Sequence, residues 1–134
     1  MRLLVVDDDP LVLESCRRIL AEEHEVLLAR GAEEALEILE AAGRPGSARE
    51  GSARGCDLVL ADLMMPARDG FSLIEEARRR WPGLPVLAMS GYDTANVQAR
   101  CRALGALGFV PKPFSPDELL TAVGQVPPAK REEA

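Results

Sequence analysis

Five short apolar runs alternate along this chain with five amphipathic stretches. Most of the runs are near-continuous in Val, Leu and Ala, a pattern typical of strands buried on both faces. Because crossovers between parallel strands are right-handed, a (βα)5 alternation predicts an α/β fold, with an open, doubly wound parallel sheet and helices on both faces. A closed barrel would need eight such units. The predicted strands are Arg2–Asp7, Glu25–Ala29, Asp57–Asp62, Leu84–Ser90 and Leu107–Pro111.

The amphipathic stretches predict five helices, because their apolar residues recur at helical spacing. The fifth begins with the sequence SPDE at residues 115–118, which supplies a capping serine, a proline at the first helical position and a glutamate three residues after the cap. The first four helices are predicted at Pro10–Ala21, Ala32–Ala42, Phe71–Trp81 and Thr94–Leu104.

The chain of 134 residues has the length of one domain, which we assign to residues 1–126. Within it, residues 43–55 read GRPGSAREGSARG and contain no large apolar side chain, so we expect a flexible loop inserted between the second helix and the third strand. That connection lies at the amino-terminal edge of the sheet, away from the edge where such sheets bind ligands. Residues 127–134 are predicted to be a disordered tail or the stub of a linker.

Composition excludes several classes of protein. Sixteen basic and twenty-two acidic side chains give a net charge of −6, which argues against binding nucleic acid by neutralising phosphates. The apolar runs are too short to cross a bilayer, and no signal segment opens the chain. Three cysteines at unrelated spacings suggest neither a disulfide framework nor a zinc site, and a single histidine, His24, cannot form a histidine metal cage. We therefore expect a cytoplasmic protein.

Polar residues mark the ends of four predicted strands. Asp7 ends the first strand and Asp8 follows it, Asp62 ends the third and Ser90 the fourth, and the fifth runs into Lys112. Taken singly, each is more often a turn or cap residue. Because parallel strands end at one edge, however, these groups are expected to share one cleft. Carboxylates that crowd together need compensating cations; Lys112 supplies one, and the oxygen-rich set favours Mg²⁺ as the other.

Four segments in order carry a family resemblance: LLVVDDDP (3–10), LVLADLMMPARDG (58–70), VLAMSGY (86–92) and GFVPKPF (108–114). With these motifs the chain resembles the receiver domains of two-component response regulators, including the chemotaxis regulators. The resemblance covers roughly residues 1–126. It implies a flavodoxin-like fold with strand order 2-1-3-4-5.

The resemblance also implies roles for the residues at the strand ends. Asp62 matches the aspartate that accepts the phosphoryl group. Asp7 and Asp8 match the acidic pair that holds Mg²⁺ together with Asp62, and the backbone carbonyl of Met64 would complete the protein ligands.

Four further positions match the family's switch and its supporting residues. Ser90 matches the hydroxyl that contacts the bound phosphoryl group, and Lys112 the lysine that reaches the phosphorylated aspartate. Pro113 matches a structural proline, typically after a cis peptide bond. Phe109 matches an aromatic residue expected to rotate from an exposed to a buried position, which would change the surface of the fourth helix, fifth strand and fifth helix.

The implied partners are a histidine kinase or a histidine phosphotransfer protein, together with an unknown downstream protein. We expect no direct contact with nucleic acid or membrane, and a monomer or weak dimer. The domain would be a switch rather than an enzyme, since it promotes only its own phosphorylation and dephosphorylation. Either a free-standing regulator or a receiver excised from a hybrid histidine kinase in a phosphorelay fits the sequence.

Three other functions fit the sequence less well. A phosphatase of the haloacid-dehalogenase type needs a second aspartate two residues after its nucleophile, where this chain has Met64. A flavodoxin-like FMN carrier would bind its phosphate after the first strand, where three aspartates would repel it. A degenerate receiver used only for docking is disfavoured because none of the key residues is missing.

Overall fold

Strands and helices alternate along the chain as the sequence predicts. The structure, a computed structural model, describes residues 1–43, 56–65, 69–91 and 95–126. The strands are β1 (Arg2–Val6), β2 (Glu25–Ala29), β3 (Leu58–Asp62), β4 (Val86–Ser90) and β5 (Gly108–Pro111). The helices are α1 (Pro10–Leu20), α2 (Ala32–Gly43), α3 (Gly70–Arg80), α4 (Ala95–Leu104) and α5 (Pro116–Gly124).

The strands form one parallel sheet in the order β2-β1-β3-β4-β5, which confirms the predicted fold and strand order. Helices α1 and α5 pack on one face, and α2, α3 and α4 pack on the other. This arrangement puts the carboxyl ends of β1 and β3 next to each other, and those of β4 and β5 beside them.

The core consists of two apolar layers separated by the sheet. Successive strand side chains point to opposite faces. Leu4 and Val6 of β1 accordingly pack under α2 and α3, while Leu3 and Val5 pack under α1 and α5. Strands β3 and β4 are buried along their whole length, which explains why their sequences are continuously apolar.

The predicted elements are correct in type and differ only at their ends. Strand β4 begins at Val86 rather than Leu84, since Pro85 has no amide hydrogen to continue the ladder. Strands β1, β3 and β5 are each one residue shorter than predicted.

Two predicted segments lie largely outside the described residues. Of the predicted loop 43–55, the structure describes only Gly43, which ends α2, and the description resumes at residue 56. The predicted tail, 127–134, also lies outside them. Within the described ranges, no helix has the length and apolar character required to cross a membrane.

Side-chain caps determine where the helices next to the sheet's carboxyl edge begin. Asp9 accepts a hydrogen bond from the backbone of Leu11 at 2.9 Å and so caps α1. At α5, Ser115 and Glu118 form the predicted capping box, in which the Glu118 amide donates to the Ser115 hydroxyl at 3.1 Å and the Ser115 amide donates to the Glu118 carboxylate at 2.7 Å. These caps hold both helix starts beside the strand ends.

The layered core predicts different costs for two leucine truncations. Leu119 of α5 is fully buried, whereas Leu107 just before β5 is 54% exposed. We expect Leu119→Ala to lower the free energy of unfolding by about 3 kcal/mol, because it leaves a cavity in the α1–α5 layer. The matched control, Leu107→Ala, is expected to change it by less than about 0.5 kcal/mol. Urea denaturation measures both, and equal losses would contradict this description of the core.

Candidate functional site

The residues predicted at the strand ends meet at the carboxyl edge of the sheet. Asp7 directly follows β1, and its amide donates to the carbonyl of Ala29 in β2 at 3.1 Å. Asp62 is the last residue of β3, and Ser90 the last of β4. Lys112 follows β5, and its amide donates to the carbonyl of Ser90 at 2.8 Å. Backbone pairing therefore positions all four groups.

Three carboxylates form a cluster at this edge. Asp7, Asp8 and Asp62 each offer one oxygen, and these oxygens lie within 4.8 Å of one another. Asp7 is fully buried and Asp62 is 3% exposed, whereas Asp8 is exposed at the mouth of the cluster. An all-oxygen set with an open side suits Mg²⁺, which keeps several of its waters and prefers carboxylate ligands.

Lys112 bridges two of these carboxylates. Its ammonium nitrogen lies 2.7 Å from Oδ2 of Asp7 and 3.1 Å from Oδ1 of Asp62. Burial disfavours the charged ammonium, but the hydrogen bond that Lys112 donates to Asp7 and the charge of Asp62 outweigh it, so the pKa of Lys112 is raised. The lysine therefore stays charged at physiological pH.

The carboxylate of Asp62 is buried beside a second negative charge. Burial and the neighbouring charge of Asp7 raise its pKa, while Lys112 and the backbone N–H of Met64, which donates to the carboxylate, oppose that rise. Three carboxylates and one ammonium leave a formal excess of two negative charges in this cluster. A divalent cation would neutralise that excess, so the residues present fit Mg²⁺ both in ligand type and in charge.

Asp7 is oriented by its own loop. Its Oδ1 accepts a hydrogen bond from the amide of Asp9 at 2.9 Å, which leaves Oδ2 for Lys112. Asp9 itself turns its carboxylate to the first turn of α1 and caps that helix. The three consecutive aspartates therefore divide into two cluster members and one cap.

The structure also shows the setting of the remaining predicted residues. Met64 is 54% exposed, in the segment after β3. The peptide bond between Lys112 and Pro113 is cis, as the resemblance implies. Phe109 differs from the expectation of an exposed ring: it is half-buried and packs against the layer under α2, α3 and α4. Its position in the middle of β5 turns its side chain onto that face of the sheet.

The structure adds one residue that the sequence reasoning did not single out. Gly70, the first residue of α3, is buried against the backbone of Asp62. Its only sequence signal is a glycine directly after the capping Asp69, which by itself indicates a turn. His24, in contrast, lies before β2 at the opposite edge, where its ring nitrogen is 3.3 Å from the amino terminus.

Comparison with known proteins agrees with this geometry. Residues 3–124 match the family described as the response regulator receiver domain. This chain belongs to that family. Within the receiver domain, the acidic cluster and Lys112 come from three of the four motif segments.

The receiver domain has similar relatives in sequence and in structure. It is 36% identical over 121 residues to the response regulator MprA of Mycolicibacterium vanbaalenii, an alignment that covers 90% of this chain and 47% of that protein. With MprA of Mycobacterium leprae the identity is also 36%, over 92% of this chain and 49% of that protein. The chain thus spans about half the length of these curated relatives.

Two solved structures have the same fold. A CheY-like receiver domain protein from Methanospirillum hungatei superposes with a TM-score of 0.79 at 30% identity, covering 92% of this chain and 90% of that one. The chemotaxis protein CheY4 of Vibrio cholerae superposes with a TM-score of 0.80 at 25% identity, covering 94% and 98%. The receiver fold therefore accounts for nearly the whole chain.

The crowding of carboxylates predicts that Asp62 opposes folding when no divalent cation is present. Its raised pKa means that the folded state binds the proton more tightly than the unfolded state, so stability falls as pH rises from the ordinary aspartate pKa through the raised one. We expect Asp62→Asn to raise the urea midpoint at neutral pH in EDTA. The gain should shrink in acid, where Asp62 is protonated in both states.

The control for this prediction is Glu22→Gln, which neutralises an exposed carboxylate remote from the cluster. It should leave the midpoint nearly unchanged at every pH. An Asp62→Asn variant that is no more stable than the parent in EDTA at neutral pH would show that the cluster is not under electrostatic strain.

Proposed function

We propose that this receiver domain accepts a phosphoryl group on Asp62 from a phosphohistidine of a histidine kinase or histidine phosphotransfer protein, with Mg²⁺ bound beside it. The observation that carries the proposal is the placement of the buried Asp62 beside two further carboxylates and a lysine, which together come from three strand ends at one sheet edge. This arrangement fixes the Asp62 carboxylate beside a lysine that offsets charge.

The transfer needs little chemistry from the protein. A carboxylate oxygen of Asp62 forms a bond to phosphorus while the phosphorus–nitrogen bond of the donor breaks, and the electron pair returns to the imidazole nitrogen. Phosphohistidine is a high-energy donor, so positioning and charge compensation are the main requirements. Lys112, 3.1 Å from Asp62, is placed to pair with the negative charge that gathers on the phosphoryl oxygens.

The carboxylates of Asp7, Asp8 and Asp62 and the backbone carbonyl of Met64 would hold Mg²⁺. When bound, the ion supplies positive charge to the transferring phosphoryl group. Asp7 helps to keep that site in place, because its two oxygens accept hydrogen bonds from the amide of Asp9 and from Lys112. Asp8, being exposed, leaves the entrance open to water and ion exchange.

Phosphorylated Asp62 would then act as a switch. The phosphoryl group adds nearly two negative charges and several acceptor oxygens. Ser90, buried at the end of β4, is the hydroxyl we assign to it. The carbonyl of Ser90 holds the amide of Lys112, so an inward shift of Ser90 would pull on the end of β5. That strand carries the half-buried Phe109, whose repacking would change the α4–β5–α5 surface read by a partner.

The same proposal makes the domain a signalling switch rather than an enzyme with a separate substrate, acting in the cytoplasm. Water attack on the acyl phosphate would return Asp62 to its resting state. In the same proposal, a histidine kinase acts upstream of this domain and a partner protein acts downstream of it. The curated relatives are about twice as long as the segment that matches this chain, so the proposal concerns the activity of this domain.

Phosphorylation tests the proposal directly. Incubation with a small phosphodonor such as phosphoramidate and Mg²⁺ is expected to add about 80 Da at Asp62. Asp62→Asn should abolish that addition, and Asp57→Asn, a change at the opposite edge, should not. Intact-mass and peptide mass spectrometry measure the site. Labelling at another residue, or none in the wild-type protein, would refute the proposed phosphoacceptor.

The metal site has its own prediction. Asp8→Ala removes one proposed ligand while leaving both buried carboxylates and Lys112 in place. We expect Mg²⁺ to bind at least about tenfold more weakly by calorimetric titration, as even outer-shell losses cost that much. The matched control is Asp9→Ser, which removes the adjacent carboxylate but keeps a capping side chain on α1. Equal affinities for the two variants would place the ion elsewhere.

A further inference from the structure

Gly70 makes an unusually close approach to the phosphoacceptor strand. An ideal Cβ on Gly70 would lie 2.1 Å from the carbonyl oxygen of Asp62, and 2.8 Å from both its carbonyl carbon and the Cα of Leu63. All three are backbone atoms, so no side chain can rotate away to make room. The glycine is needed here for space rather than for conformation, because among the described residues the positive-φ glycine is Gly105.

The start of α3 cannot easily retreat from this contact. Asp69 caps the helix by accepting a hydrogen bond from the amide of Ser72 at 2.9 Å. The amide of Gly70 donates to the carbonyl of Leu63 at 3.0 Å, which ties the first residue of the helix to the chain just after β3. Leu73 and Ile74, one turn later, are fully buried. The helix therefore presses on the Asp62–Leu63 peptide from a fixed position.

The Asp62–Leu63 peptide, at the end of β3, lies between the start of α3 and strand β4. On its other side, the amide of Leu63 donates to the carbonyl of Met89 in β4 at 3.0 Å. The next residue, Met64, donates its backbone N–H to the carboxylate of Asp62. A displacement of the Asp62–Leu63 peptide would consequently move the phosphoacceptor carboxylate and the Met64 backbone together, relative to Asp7 and Lys112.

We propose that Gly70 is a positioning residue, which lets α3 clamp the Asp62–Leu63 peptide so that the Asp62 carboxylate and the Met64 carbonyl lie correctly for metal binding and phosphoryl transfer. This inference rests on the function proposed above. A methyl group at residue 70 would push the peptide toward β4 or lift the helix start, and either movement misplaces both groups. Displacements of about 1 Å at a reacting centre cost up to about a hundredfold in rate.

The test compares four proteins at a temperature where each is fully folded: wild type, Gly70→Ala, Gly31→Ala and Leu119→Ala. Gly31→Ala makes the same chemical change at a position with nothing within 4 Å of the added methyl group. Leu119→Ala lowers stability without touching the peptide. Mg²⁺ affinity is measured by calorimetry on the unphosphorylated proteins, and phosphorylation rate with phosphoramidate at saturating Mg²⁺.

We expect Gly70→Ala to bind Mg²⁺ about tenfold more weakly and to be phosphorylated about tenfold more slowly, while both controls stay within about twofold of wild type. A folded Gly70→Ala with wild-type affinity and rate would overturn the inference and leave the proposed function intact. Equal losses in Leu119→Ala would also overturn it, because stability alone would then explain them. A wild-type protein that neither binds Mg²⁺ nor is phosphorylated would refute the proposed function and this inference with it.

A second pair of variants decides the matter if Gly70→Ala does not fold. Asp69→Ala removes the cap that anchors α3 and so loosens the clamp, whereas Asp69→Ser removes the charge and keeps a capping oxygen. We expect Asp69→Ala to bind Mg²⁺ at least about threefold more weakly than Asp69→Ser. Equal affinities in this pair would show that the start of α3 does not position the site.

Discussion

The structure of this domain depends on the repulsion among three carboxylates and its compensation by a single lysine. Asp7 and Asp62 are both buried, and each alone would be costly in a low-dielectric interior. Lys112 contacts both, although it lies 105 and 50 residues away from them in the chain. Its ion pairs offset part of the repulsion, and the remaining excess of negative charge is what a divalent cation would neutralise. The electrostatic cost of the apo site is thus linked to its capacity to bind a metal ion and a phosphoryl group.

The parallel sheet is what brings these charges together. Every strand of such a sheet ends at the same edge, so residues that follow different strands become neighbours without any local sequence signal linking them. The order β2-β1-β3-β4-β5 places the ends of β1 and β3 side by side and the end of β4 next to them. Helix caps then hold the loops that carry the side chains. Asp9 starts α1 directly after the Asp7–Asp8 pair, and Asp69 starts α3 against Asp62.

The proposed switch uses the same backbone connections. Ser90 joins the end of β4 to Lys112 through a backbone hydrogen bond, and Phe109 lies three residues before Lys112 on β5. Because Phe109 is half-buried already, a change in its packing would involve the layer under α4 rather than a simple transfer of an exposed ring into the core. Packed layers of this kind shift between discrete arrangements, which suits a two-state signal.

Sequence periodicity alone determined the order and type of the elements, and the polar residues after each apolar run determined which side chains meet at the sheet edge. Both are local patterns, set by how a strand or helix places its own side chains, and they were enough to indicate the acidic cluster and Lys112. Tertiary structure decided how closely the layers approach. The contact of Gly70 with the Asp62 backbone, the half-buried state of Phe109 and the exposure of Leu107 depend on where a helix lies over a strand distant in the chain. The distance between a helix and a strand far away in the chain is not determined by the residues next to either one in sequence, so it is seen only in the packed structure.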